Sequence, residues 1–454
     1  MEDGSRRMFD KRELRKMNKA AYLQKLAAWR EARLGQAVAP GSEAQASRVR
    51  VYMRKRPLFD HEVAGDEYDV ISVRGGIQVV VHNCLTKADL KSLYVQHQGF
   101  QFAHAFSEQA SDEDVYHQCA FPAVEHVRAG KVATLFMFGQ TGSGKTHTMR
   151  GLIERASSHL FADGGRYQLT AFEIAGKTMR DLLSADAATE LKLMDDKGNK
   201  TRILGATAIE ATTGDELMER IADAQAHRAT RATQANDTSS RSHAVYQILG
   251  AQGAMLTLVD CAGSERREDT TQHDALQQKE AAEINATIFA LKECFRVMRS
   301  SKGQQPPYRS SLLTRVLSDS FASPEALIVA IGTVSPSATD TEHSLSTLKS
   351  LQDLQGSKMA FEEREDIVKT RKVEPHPRTW NEAAVRQWME AAAGGAAQDY
   401  AGALTKGTDG KNLIRWPQTR FTQLCGGDQV LGQKLFEELR VKMRSPGTAT
   451  DGGA

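Results

Sequence analysis

The chain has 454 residues, of which 40% are hydrophobic and 26% charged. This is globular composition, and no apolar run approaches the roughly 20 residues of a membrane-spanning helix, so a disordered chain and a membrane protein are both excluded. Lys plus Arg number 59 and Asp plus Glu 57, a net charge of +2. That excludes a uniformly basic nucleic-acid binder while leaving room for a local basic surface.

Residues 8–34 contain no Pro and no Gly and are dominated by Ala, Leu, Lys, Arg, Gln and Glu, so helix propensity is high. Tyr22, Leu26 and Trp29 recur at helical spacing, with Leu14 and Met17 before them. Residues 1–34 carry ten Lys or Arg against five Asp or Glu, a local charge of +5, so the remainder is about −3. A solvated helix with one apolar stripe and a basic arm for an acidic polymer are both compatible with that pattern. A Gly-, Ala- and Ser-rich linker closes this first segment, residues 1–48.

From residue 49 strand-like and helix-like runs alternate. Residues 49–53, 79–82, 133–139, 167–174, 244–249, 255–260 and 327–334 read as strands, and 114–128, 215–226 and 280–298 as helices. Such alternation predicts an α/β layered domain over residues 49–357. Residues 358–378 are charged, contain two prolines and read as a linker. Residues 379–442 are helical in pattern, and 443–454 read as a disordered tail. The five cysteines, Cys84, Cys119, Cys261, Cys294 and Cys425, form no CxxC pair, which is the pattern of a reducing compartment with neither a disulfide framework nor a zinc site.

The strongest chemical signal is Gly139-Gln140-Thr141-Gly142-Ser143-Gly144-Lys145-Thr146, which fits GxxxxGK[ST] and follows an apolar strand. Glycines let the backbone curl so that its N–H groups face phosphate oxygens, and the following helix adds its positive end. Lys145 reaches the outer phosphates and the Thr146 hydroxyl ligates Mg²⁺ in such loops. Two further segments complete a nucleotide switch. Asn236-Asp237-Thr238-Ser239-Ser240-Arg241-Ser242-His243 is a hydroxyl-rich loop entering a strand. Asp260-Cys261-Ala262-Gly263-Ser264-Glu265 follows an apolar strand, where a P-loop enzyme places its second Mg²⁺ carboxylate.

Taken together, GQTGSGKTHTM at 139–149, NxxSSRSH at 236–243 and DxAGSE at 260–265 resemble the kinesin motor domain. Arg54-Lys55-Arg56-Pro57 is similar to that family's RxRP adenine-side motif. Glu283-Ile284-Asn285 with Leu291 resembles the start of its switch II helix, and Pro307-Tyr308-Arg309 with Leu313-Thr314 its PFRxSKLT segment. The resemblance covers residues 49–355 and implies a P-loop NTPase with a mostly parallel central sheet and helices on both faces. It also implies ATP and Mg²⁺ as cofactors and tubulin or microtubules as partner, with neither nucleic acid nor membrane, in the cytoplasm on the cytoskeleton of a spindle or axoneme. By that resemblance Arg54, Arg56, Pro57 and His147 border the nucleotide together with residues 139–146, and Thr146, Ser240 and Asp260 hold Mg²⁺. Ser239 and Ser242 order the attacking water, Gly263 approaches the γ-phosphate, and Arg241 pairs with Glu265 to close the two switches.

A helix before the motor, the triplet Lys87-Ala88-Asp89 and the triplet Lys292-Glu293-Cys294 further resemble the microtubule-depolymerising kinesin-13 group, with Arg309 as another tubulin contact. Ala88 is smaller than the usual Val, Leu312 stands where a tubulin-facing Lys is usual, and Ala286-Thr287 replaces Lys-Ser. A translocating motor and a tubulin-binding scaffold with weak ATPase activity are the other readings. The first needs a dimerising coiled coil, which residues 355–378 are too short to supply. In the last segment Trp380, Val385, Trp388, Tyr400, Gly410, Leu413, Trp416, Phe421, Leu424, Gly432, Leu435 and Leu439 resemble the spacing of a SAM domain, a helical bundle for self-association.

Overall fold

The computed structural model describes residues 10–39, 48–89, 92–184, 186, 189–195, 201–234, 241–263, 275–300, 304–367 and 376–444. The chain divides at 368/369 into two compact units. No helix among the described residues is long and apolar enough to cross a membrane.

The first unit is built on a mixed sheet. Across it lie Ile209–Ala211, Tyr167–Ala175, His243–Leu249, Met255–Asp260, Val132–Phe138, Leu327–Val334, Val49–Lys55 and His104–Phe106, with Thr178–Asp181 folded back on Tyr167–Ala175. The last five of the eight run parallel. Val132–Phe138 and Leu327–Val334 are central and almost wholly apolar, as strands covered on both faces must be. One face packs on the helices Phe121–Arg128, Lys145–Leu160 and Gly214–Gln234. The other packs on Ala275–Arg299, Leu312–Val316, Ser318–Ala322 and Thr341–Gln355. This arrangement brings the ends of the parallel strands, and the loops after residues 138 and 260, to one edge of the layer.

A second, antiparallel sheet joins the second of these cores. Its order is Phe361–Ile367, Leu93–Gln101, Gln78–Thr86 and Ile71–Arg74. The triplet Lys87-Ala88-Asp89 follows Gln78–Thr86 in the turn that leads to Leu93–Gln101. The linker expected over 358–378 therefore contains a strand. Its residues Phe-Glu-Glu-Arg-Glu-Asp-Ile are too polar to announce one, and a paired neighbour supplies what propensity lacks.

The N-terminal segment forms two helices, Lys11–Met17 and Lys19–Arg33, where one continuous helix was expected. Asn18 interrupts them, and its own amide side chain bonds the Leu14 carbonyl at 2.8 Å, competing with the backbone ladder. Tyr22, Leu26 and Trp29 are buried. Burying three such side chains contributes about 2 kcal/mol each. Six of the cations of the basic arm are engaged within the fold in this conformation. Arg15 pairs with Glu342, Lys16 with Glu67, Lys19 with Asp66, Lys25 with Glu365, Arg30 with Asp69 and Arg33 with Glu363. Arg15 is fully buried and also donates to the Cys84 and Ala338 carbonyls at 3.0 and 3.1 Å and to Asn83 at 2.9 Å.

The second unit is helical, with Glu382–Ala391, Gly410–Leu413, Gln418–Leu424 and Gln429–Arg444, the first two joined through the 3-10 helices Ala392–Gly395 and Gln398–Ala403. Trp380, Val385, Trp388, Leu413, Trp416, Phe421, Leu435 and Leu439 form its core. Gly410 and Gly432 mark close approaches, since a Cβ would stand 1.7 Å from the Pro377 carbonyl oxygen and 2.5 Å from the Thr422 hydroxyl, respectively.

Candidate nucleotide site

The phosphate loop leaves Val132–Phe138 at Gly139 and enters Lys145–Leu160, as the glycine pattern requires. Gly139, Gly142 and Gly144 have φ of +146°, +77° and +99°, conformations that side chains disfavour. A Cβ at Gly139 would also stand 2.5 Å from the Thr333 carbonyl oxygen. Ser143 shapes the loop from inside, its hydroxyl bonding the Gln140 carbonyl at 2.7 Å and the Thr333 hydroxyl at 2.8 Å. Lys145 donates to the Gly139 and Gln140 carbonyls, both at 2.9 Å. Thr141, Gly142, Thr146 and His147 are exposed at the mouth.

Arg54 and Arg56 have other employment than a direct hold on the base. Arg54 pairs with Asp112 at 2.6 Å and reaches the Thr148 hydroxyl at 3.2 Å. Arg56 is buried, forks onto Glu62 at 2.5 and 2.8 Å, and donates to Ser335 and to the Gly142 carbonyl at 2.8 Å. It braces the phosphate loop from behind. Pro57 is exposed beside it, and the exposed His147 ring lies 4.0 Å from Asp112.

At the other side Asp260 ends its strand beside Met137. It is buried, and its Oδ1 has no hydrogen-bond partner among the described residues. Its Oδ2 accepts from Arg228 at 3.0 Å. Arg228 also approaches Glu173 at 3.5 Å and donates to the Ser242 carbonyl at 2.8 Å. Burial opposes its charge, yet Asp260 holds its pKa above the ordinary value. Ser242 is buried with its hydroxyl donating to Glu173, so in this conformation it braces the switch. His243 accepts the Ala262 N–H at 3.1 Å and so ties the two switch segments together. Burial holds its pKa down to about 4, so it stays neutral. Arg228 and Glu173 were missed by sequence reasoning, because each sits in an element where a charged residue reads as solvated surface.

Arg241 and Gly263 are described and flank these contacts. Ser239, Ser240 and Glu265 lie outside the described residues. The donors present fit a nucleotide with Mg²⁺: positive-φ glycines, a helix start, a lysine and a buried carboxylate oxygen with an open valence.

Of the residues expected to meet tubulin, Lys87 pairs with Asp366 at 3.0 Å and Asp89 caps the Ser92 N–H at 2.8 Å. Ala88 is exposed. Lys292 pairs with Asp353 at 3.0 Å, Glu293 with Arg296 at 2.7 Å, and the exposed Arg309 lies 3.8 Å from Asp195. Cys294 is fully buried, and burial pushes its thiol up to about 12. It packs the core and offers nothing to a partner, a correction to its expected place in the contact patch.

Fold and site define a P-loop nucleotide-switch protein. A family model for the kinesin motor domain matches residues 54–353, and the chain belongs to the kinesin motor family. Kinesin motor domains are microtubule-stimulated ATPases. A relative named Diatom spindle kinesin-1, from Cylindrotheca fusiformis, is 36% identical over 315 residues, covering 67% of this chain and 50% of that protein. The chain thus spans about half the length of the relative it matches.

Proposed function

We propose that this chain is an ATP-hydrolysing kinesin that binds microtubules and shortens them from their ends by favouring curved tubulin, as in the kinesin-13 group. The observation that carries this reading is the finger triplet Lys87-Ala88-Asp89 in the turn of an antiparallel hairpin, backed by an N-terminal helix anchored through Arg15. A projecting hairpin is suited to probing between subunits.

Lys145 and the loop N–H groups would hold the β- and γ-phosphates, and Thr146, Ser240 and Asp260 would hold Mg²⁺. When bound, Mg²⁺ neutralises phosphate charge. Ser239 orders the attacking water, and Arg241 with Glu265 closes the switches over it. Arg228 holds Asp260 in register. Movement of the switches is passed to the helix Ala275–Arg299, whose end is tied to Thr341–Gln355 by Arg299 donating to the Asp353 carbonyl at 2.9 Å.

Lys145→Ala is expected to abolish nucleotide binding, and Glu265→Ala to leave binding intact while stopping turnover. Nucleotide titration and steady-state ATPase assays check both. Imaging of stabilised microtubules with ATP tests the whole reading. Shortening at the ends supports it, whereas directed stepping or inert binding replaces it with a translocating motor or a scaffold. The relative's name suggests spindle microtubules as the setting. The helical second unit is a SAM-like self-association module in this reading. Sedimentation of the chain with and without residues 376–454 checks that, and a monomer in both cases removes it.

A further inference from the structure

The strand Phe361–Ile367 is the last described element of the first unit and carries four carboxylates against one guanidinium. It pairs with Leu93–Gln101, the strand that returns from the finger. Its seat is shaped for it: the Phe361 ring lies on Gly99, where a Cβ would stand 2.3 Å from the ring. Arg364 covers the Tyr94 ring at 4.0 Å. Glu363 and Glu365 take Arg33 and Lys25 of the N-terminal helix at 2.5 and 2.7 Å. Asp366 takes Lys87 of the finger at 3.0 Å.

Yet the strand buries little apolar surface. Every one of its residues is at least partly exposed, and only Phe361 and Ile367 are apolar. An edge strand with so little buried apolar surface belongs to the least stable part of a fold. The cations it engages, on the finger and on the N-terminal helix, are those an acidic polymer would otherwise meet.

We propose that Phe361–Ile367 is an internal acidic ligand that competes with tubulin: docked, it occupies Lys87, Lys25 and Arg33, and displaced, it exposes all three. The inference rests on the tubulin-binding reading above and adds a regulatory contact to it. The strand lies directly before the second unit in sequence.

The test uses the full chain in microtubule co-sedimentation across a salt series. Gly99→Val displaces Phe361 without changing charge, and E363Q/E365Q/D366N removes the pairings directly. Both variants are expected to bind about three- to tenfold tighter than the parent at low salt, with the gap closing as salt rises. A third variant, Gln96→Cys with Arg364→Cys, joins two residues that face each other in register and locks the strand down. It is expected to bind more weakly when oxidised and to recover on reduction. Parental affinity in Gly99→Val together with parental affinity in the oxidised form overturns the competition. Absence of binding in the parent and in every variant overturns the tubulin reading itself, and the competition with it.

Discussion

Arg228 is the side chain on which the charge balance behind the nucleotide site rests. It is the cation that Asp260 and Glu173 share in a buried setting. Arg228→Ala leaves two buried carboxylates without their shared cation and is expected to cost about 3 kcal/mol of stability. Chemical denaturation monitored by circular dichroism measures that loss. Arg228→Lys is expected to recover only part, because one ammonium cannot reproduce a fork that also serves the Ser242 carbonyl. Residues of this kind are the part of the site that sequence does not disclose. The phosphate loop is legible because positive-φ turns demand glycine at fixed spacing, a constraint visible in any chain. Arg228 stands on a polar-looking helix, and only the fold says that it meets Asp260.

At the scale of elements, the N-terminal helices act as a strap over the finger-bearing sheet. Arg15 fastens the first of them to the finger strand at Cys84 and Asn83 and to the last motor helix at Glu342. Arg15→Met removes those donors and leaves the Glu342 carboxylate without its buried partner, with an expected loss of about 3 kcal/mol, read as a lowered thermal midpoint. The helix Ala275–Arg299 makes a different point. Its inward side chains Ile284, Leu291, Cys294 and Phe295 pack the core, while Ala286 and Phe289 face outward, with Phe289 at 64% exposure. Ala286→Lys places a cation on that outer face without disturbing packing and is expected to tighten microtubule binding at low salt about threefold. Leu312→Lys is a poorer test, since Leu312 packs against the core. The helix and the central strands were legible from their apolar periodicity. The break at Asn18 and the strand Phe361–Ile367 were not, because each depends on a hydrogen-bond partner rather than on its own composition.

For the whole molecule, the folded body outruns the stretch that carries the family's motifs. The family match covers residues 54–353, whereas the first unit also includes the helices Lys11–Met17 and Lys19–Arg33 and the strand Phe361–Ile367. A chain begun at residue 49 bares the seat of Tyr22, Leu26 and Trp29 and is expected to melt well below the parent, by the loss of about 2 kcal/mol for each. Acid acts on the same seat. His82 and His97 meet Nδ1 to Nδ1 at 2.7 Å under the Trp29 ring. Burial holds His97 down to about 4 and His82 well below its ordinary value. Both are neutral in the fold and titrate near pH 6.5 when unfolded, so the unfolded chain binds more protons between those values. Stability is therefore expected to be full above about pH 6.5 and to fall toward pH 4, by about 1.4 kcal/mol per unit for each histidine. Melting curves across that range check the slope, which His97→Gln should flatten.

The antiparallel register of the last strand also sets which of its ends neighbours the finger. Ile367 faces Leu93, where the chain returns from the finger, and Phe361 faces Gly99 at the opposite end. The pairing of Asp366 with Lys87 therefore belongs to the finger end of the strand, and the Phe361 ring on Gly99 to the far end. Fraying that begins at Ile367 uncovers the finger lysine before it unseats Phe361.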